Sequence, residues 1–308
     1  MNAVQAILLG LIQGLTEFLP VSSSGHLLLG SLVLGFPAPG LSLSLLLHLG
    51  TATATVVMLW DEILWLLKGI LRPGSRSERS RALSVVGLLA VASVPGAVVG
   101  VFFGNFLDTV FSSGGVAALG LILTGFILKG GSREDIREIS DGKVRPGGGE
   151  PEGRPARRLR GRPLRRGDYR RQGREDDAPV LSTVNMRRAI IVGLSQAVAV
   201  IPGISRSGAT IASGLLSGMD REDAARFSFL LALPAIFGGA FLDFREAVAM
   251  GEPVLSLAGL LGAAVAFLTG LVALSLVFRA VRKGDLRKYA YYCWAAGALS
   301  LVYLMVRA

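Results

Sequence analysis

The 308-residue chain has one cysteine, Cys293, which cannot close an internal disulfide. Its two histidines, His26 and His48, do not supply the Cys/His set that structural zinc needs. Charge is scarce as well. Only 18% of residues are Asp, Glu, Lys or Arg, against a hydrophobic fraction of 51% and a mean hydropathy of +0.56. That balance excludes an ordinary water-soluble fold of this length. The net charge of +10 sits in short stretches between long apolar runs, the pattern of loops beside a bilayer, and nucleic acid is not the expected partner. The N-terminus lacks Lys or Arg ahead of its apolar stretch and carries Gln13 and Glu17, so it is not expected to be a cleaved signal peptide.

Apolar segments of near-bilayer length lie at about 41–60, 82–103, 115–129, 224–243, 254–278 and 288–306, which gives six expected crossings. Two further apolar stretches, about 4–35 and 189–217, are interrupted by the polar runs PVSSSGH and PGISRSG. Each half is too short to cross alone, and both stretches read as re-entrant hairpins, tolerated at membrane depth only where protein or a water-filled cavity surrounds them. Lys and Arg alternate between connections. Lys68, Arg72, Arg76, Arg79 and Arg81 follow the first crossing, 104–114 holds none, 129–188 holds 17 against 10 acids, 244–253 has only Arg245, and 279–288 has five. The positive-inside rule places 61–81, 129–188 and 279–288 in the cytoplasm and both termini outside. Trp60, Trp65, Tyr289, Tyr291, Tyr292 and Trp294 then fall at the inner interface, as an aromatic belt would. The Arg- and Gly-rich segment 131–186 has too few apolar residues to offset ordering entropy and reads as a disordered basic cytoplasmic linker between membrane repeats 1–130 and 187–308, with anionic headgroups as an alternative partner.

At an offset of 183, GLIQGLTEFLPVSSSGHL (10–27) matches GLSQAVAVIPGISRSGAT (193–210) without a gap, with identities that include Gln13/Gln196, Ser22/Ser205, Ser24/Ser207 and Gly25/Gly208. Each half reads as one re-entrant helical hairpin plus three transmembrane helices. Three is odd, so the expected fold is an all-α polytopic membrane protein built as an inverted-topology repeat. In such folds the two broken elements meet near the midplane, where the ligand sits.

Gln13 and Glu17 are four apart and share a helix face, where a carboxylate in apolar surroundings needs a cation, a proton or water. A divalent cation, Mg²⁺ or Ca²⁺, held by Glu17 with the Gln13 amide oxygen suits this pair, because hard cations take oxygen ligands and share them with phosphate. A surface or protonated Glu17 is the plainer alternative. The runs Ser22-Ser23-Ser24-Gly25-His26 and Ser205-Arg206-Ser207-Gly208 open the second arm of each hairpin. Helix capping by Ser24 and Ser207 would explain them locally. Two converging helix N-termini with hydroxyls and a guanidinium would also form an anion site, with Arg206 gripping phosphate; a structural salt bridge from Arg206 to Glu17 is the competing account. His26 could act as general acid or base, activate a serine, or merely cap a helix. His48 lies in a plain apolar helix and has a packing or hydrogen-bonding role by default.

At these residues the chain resembles the undecaprenyl-diphosphate phosphatase family, the bacitracin-resistance proteins. The first signature is Gln13-Gly14-Leu15-Thr16-Glu17-Phe18-Leu19-Pro20-Val21-Ser22-Ser23-Ser24-Gly25-His26 and the second Pro202-Gly203-Ile204-Ser205-Arg206-Ser207-Gly208-Ala209-Thr210. The likeness spans both membrane halves and is expected to fail only across about 131–186, read as a longer, more Arg-rich insert. The resemblance implies hydrolysis of a polyprenyl diphosphate lipid to the monophosphate at the outer face of the bacterial plasma membrane. Recycling of the cell-wall carrier, dependence on Mg²⁺ or Ca²⁺, and bacitracin resistance are implied with it. It further implies that Glu17 holds the metal, with Gln13 at a position where the family often carries Glu, and that Arg206 holds the diphosphate. Ser22, Ser24, Ser205, Ser207 and Thr210 would bind phosphate, and Ser23, paired with His26, would be a nucleophile candidate beside His26 itself and a metal-bound water. A transporter or flippase of a phosphorylated lipid is the alternative function from another class, since inverted repeats with broken helices also build transporters. Prenyl chain length is not encoded in any pattern, and a homo-oligomer is left open.

Overall fold

A computed structural model describes residues 2–37, 39–72, 74–102, 113–132 and 181–307. Among these the secondary structure is entirely helical: α1 (Ala3–Phe18), α2 (Ser23–Leu34), α3 (Leu41–Met58), α4 (Trp60–Leu71), α5 (Arg76–Phe102), α6 (Gly114–Gly131), α7 (Met186–Val198), α8 (Arg206–Leu216), α9 (Arg221–Ala249), α10 (Leu257–Lys283) and α11 (Arg287–Arg307). Six of them, α3, α5, α6, α9, α10 and α11, are long and apolar enough to cross a membrane, and they coincide with the six expected crossings. They expose large apolar side chains such as Val98, Phe241, Leu268 and Leu299, a surface suited to lipid rather than water. The chain is an all-α multi-pass membrane protein.

Each apolar stretch with a polar interruption forms a helix, a break and a second helix. Asn2 and Gln5 start α1 with a reciprocal capping box, and Leu19 ends it in an extended conformation because Pro20 follows. Asn185 caps α7, and the second break spans 199–205 around Pro202. The 61–81 connection is not a plain loop. Its first part is α4, which begins with Asp61 and Glu62 and packs on α5, and Glu62 pairs with Arg226 of α9 at 3.1 Å. The bulk of the 131–186 linker and most of the 104–114 connection lie outside the described residues. At the linker's described edge the chain is held firmly: Leu181 is buried, and Asp223 accepts from Thr183 N at 2.8 Å and Thr183 Oγ1 at 2.6 Å.

The helix contacts interlock the two halves. α1 packs along α10 and α7 along α5; α3 meets α10 and α9 meets α5; α3 meets α9 and α6 meets α11. Small residues make these approaches close. A Cβ on Gly10 would strike the Gly262 backbone, one on Gly14 would strike Ala266 and Thr269, and one on Gly193 would lie 2.8 Å from the Ala92 Cα. Phe18 packs against Gly270, which is 13 residues from either end of α10, so the first hairpin's break lies level with the middle of that apolar helix.

Candidate active site

The two breaks touch each other. A Cβ on Gly25 would lie 3.1 Å from Gly203 Cα, and one on Gly208 would lie 3.3 Å from Pro20 Cβ. Ser207 Oγ donates to the Leu19 carbonyl at 3.5 Å. At the head of each second arm the serine pattern repeats: Ser22 Oγ accepts from Gly25 N at 3.4 Å and lies 3.3 Å from Ser24 Oγ, while Ser205 Oγ accepts from Gly208 N at 3.1 Å and lies 3.2 Å from Ser207 Oγ. The capping serines are therefore Ser22 and Ser205, the first of each run, and not Ser24 and Ser207 as the sequence suggests. The first break, 19–22, is shorter than the second, 199–205, and within it Ser22 stands at φ 70°, a left-handed conformation rare for a residue with a side chain.

Glu17 is the hub. Its Oε2 accepts from Ser23 Oγ at 2.5 Å and from Gln13 Nε2 at 3.1 Å, and its Oε1 is ion-paired with Arg206 of the opposite hairpin. The Glu17 side chain is 5% exposed and that of Arg206 24%, so the carboxylate is enclosed while the guanidinium reaches an opening. The salt bridge weighed as the alternative role for Arg206 is present, and among the described residues it engages one of the guanidinium's five N–H donors. The others remain available to a second anion, beside the N-termini of α2 and α8, whose dipoles favour negative charge.

His26 does not join this cluster through hydrogen bonds. Its Nδ1 is 2.8 Å from the Ser22 carbonyl and its Nε2 2.8 Å from Tyr292 OH of α11, with the two rings nearly parallel at 11° and 5.6 Å apart. The expected pairing of Ser23 with His26 is thus replaced by Ser23 with Glu17, because the imidazole reaches back to its own helix cap. Thr210 lies one turn behind Arg206, where its hydroxyl donates to the Arg206 carbonyl at 2.7 Å and meets Ser228 Oγ at 2.5 Å. His48 keeps its default role, with Nδ1 2.9 Å from the Ser44 carbonyl.

Two residues that bear on the site escaped the sequence reading. Thr124 of α6, fully buried, donates to the Gly203 carbonyl at 2.9 Å and accepts from Ser205 N at 2.9 Å, pinning the second break just ahead of Arg206. Tyr292, read as part of an interfacial belt, contacts His26, and Trp294 is anchored by Nε1 to the Ile122 carbonyl at 3.1 Å. Neither residue belongs to a motif; each is a polar atom in an apolar helix, and only its fold partner gives it meaning.

Among the described residues no three His, Cys, Asp or Glu side chains cluster as metal ligands, so a transition-metal cage is not formed there. A hard divalent ion needs less. The Gln13 Oε1 is buried with no hydrogen-bond partner, an acceptor beside a carboxylate. Flipping the amide would set oxygen against the Glu17 carboxylate, so the orientation with Oε1 free is the favourable one. One carboxylate and one amide oxygen, completed by phosphate oxygens and water, fit Mg²⁺ or Ca²⁺.

The family model described as bacitracin resistance protein BacA matches residues 6–299. An undecaprenyl-diphosphatase of Moorella thermoacetica is 38% identical over 308 residues, 100% of each chain. One of Desulforapulum autotrophicum is 36% identical over 312 residues and one of Halothermothrix orenii 33% over 303, each covering 98% of both chains. With the match running through both hairpins and all six long helices, the chain belongs to the bacitracin resistance protein BacA family.

Proposed function

We propose that the protein is an integral membrane phosphatase that hydrolyses undecaprenyl diphosphate to undecaprenyl phosphate and inorganic phosphate, returning the lipid carrier to cell-wall synthesis and conferring resistance to bacitracin. The observation that carries this reading is the junction of the hairpins, where Glu17 and Ser23 of the first meet Arg206 of the second at two touching helix N-termini. Relatives that match over the full length bear the name undecaprenyl-diphosphatase.

In this reading Arg206 binds the diphosphate through its free N–H donors, and the α2 and α8 N-termini with Ser22, Ser24, Ser205 and Ser207 complete the anion site. Thr210 supports it from one turn behind. Glu17 accepts the Ser23 hydroxyl proton, which makes Ser23 the nucleophile candidate already in hydrogen-bond contact with a base. Glu17 and Gln13 Oε1 hold Mg²⁺ or Ca²⁺, which when bound neutralises charge on the diphosphate oxygens. The reciprocal contacts of the two halves support an inverted-topology repeat, and the distribution of Lys and Arg supports an inner-membrane protein with cytoplasmic 131–186 and an outward-facing site.

The test is phosphate release by the purified, detergent-solubilised protein given undecaprenyl diphosphate, with and without Mg²⁺, for wild type, Glu17→Ala and Arg206→Ala. Metal-dependent release lost in both variants is the expected result. No release from folded wild type would move the assignment to a transporter. For orientation, a reporter within 131–186 should be cytoplasmic and one at the C-terminus external, and the reverse pattern would overturn the outward-facing site.

A further inference from the structure

His26 is tied at both nitrogens, and the two ties differ in chemistry. The Ser22 carbonyl can only accept, so Nδ1 carries a proton, and in the neutral ring Nε2 presents a lone pair. Tyr292 OH, 2.8 Å away, is the hydrogen-bond partner of that lone pair among the described residues, and Glu17, Ser23 and Arg206 make no hydrogen bond to the ring. The tie is supported on both sides. The carbonyl belongs to the strained Ser22, which the hairpin break holds in place. On α11, Cys293 Sγ points at the Pro20 carbonyl at 3.7 Å and Trp294 is bonded to α6, so the turn carrying Tyr292 is docked against the break.

The geometry points to Tyr292 as a positioning residue for the hydrolysis, holding the His26 imidazole in one rotamer with its Nε2 lone pair directed to α11 beside the anion site. This rests on the phosphatase reading and on His26 taking part in it. Ordering the ring in advance removes rotational freedom from the step that uses it, and loss of such a partner lowers turnover while leaving substrate affinity nearly intact. The neighbouring Tyr291 serves as an internal contrast, because its hydroxyl turns to Lys129 at 3.3 Å and away from the breaks.

The experiment compares Tyr292→Phe, which keeps the ring, with Tyr291→Phe and His26→Gln in the full-length detergent-solubilised protein. Two readouts are taken: steady-state hydrolysis of undecaprenyl diphosphate, and the ¹⁵N resonances of the histidine rings. With only two histidines in the chain, a His48→Asn background leaves His26 alone in the spectrum. For Tyr292→Phe the expectation is a kcat lowered about tenfold with KM within about twofold, the scale of one lost hydrogen bond. The Nε2 resonance should also move to the position of a lone pair without a donor. Tyr291→Phe should match wild type in both. An unchanged kcat or an unchanged Nε2 resonance in Tyr292→Phe, with His26→Gln impaired, would overturn the positioning role alone. Full activity of His26→Gln would overturn the use of His26 and the proposal with it, and absence of hydrolysis by wild type would instead strike the phosphatase reading.

Discussion

Thr124→Val tests whether a residue outside both signatures governs the placement of Arg206. Valine has nearly the shape of threonine, so the change removes one hydroxyl from a position 1% exposed and leaves packing intact. Two hydrogen bonds disappear: Ser205 N loses its acceptor and the Gly203 carbonyl its donor. A buried N–H left unpaired costs about 1–3 kcal/mol and the lost bond to the carbonyl about 1 kcal/mol, so about 2–4 kcal/mol of stability should go. The break has little room to recover, because Gly203 already sits at φ +87° with Ala117 and Gly120 filling the place a Cβ would take. Arg206 follows Ser205 directly, and a displacement on the order of 1 Å would lower kcat/KM by about a hundredfold. The assays are thermal retention of the monodisperse peak in detergent and phosphate release. Thr124→Ser restores the hydroxyl and should restore both. Wild-type stability and activity in Thr124→Val would refute the claim that α6 pins the second break.

Glu17→Gln keeps the shape of the hub but cannot take a proton from Ser23 or neutralise Arg206, so phosphate release should fall by about 10²–10⁴-fold while the protein still elutes as folded. Gly203→Ala should destabilise by about 1–2 kcal/mol from its backbone angle alone and more from the overlap with Ala117, whereas Gly87→Ala, which meets open space on α5, should be neutral or stabilising in the same thermal assay. Gln13→Glu adds a carboxylate beside Glu17 and should lower the Mg²⁺ concentration for half-maximal activity by about tenfold, while Gln13→Leu should raise it; equal metal dependence in both would remove Gln13 from the metal site.

Much of the scaffold is legible in the sequence because the bilayer imposes length. A segment such as 254–278 has no stable place but a membrane, and its helix, Leu257–Lys283, overlaps the expectation closely. The hairpin breaks are legible too, since Pro20 and Pro202 interrupt runs too short to cross on either side. What composition hides is α4: Trp60–Leu71 carries enough charge to read as a loop, yet it is a helix that buries Leu66 and Gly69 and packs on α5. The pairings inside the site are hidden for a different reason. Thr124 bonds residues 79 and 81 positions away and Tyr292 one 266 positions away, and no local spacing encodes such distances.

The same offset that reveals the repeat shows how one carboxylate comes to meet both hairpins. Position 23 of the first hairpin corresponds to position 206 of the second, and position 17 to position 200. Serine and arginine thus occupy equivalent places at the heads of α2 and α8, while the acid has only Val200 as its counterpart. Because the breaks touch, both equivalent side chains can turn to the single Glu17, Ser23 on Oε2 and Arg206 on Oε1. A second acid at position 200 would add negative charge to the break that carries Arg206 and work against the binding of an anion. The repeat supplies two matching cradles of backbone N–H and serine hydroxyls, and the departures from it supply the unlike charges: a carboxylate on one side and a guanidinium on the other. Substituting Val200→Glu should therefore weaken binding of the diphosphate, read as a raised KM, even though it makes the two halves more alike.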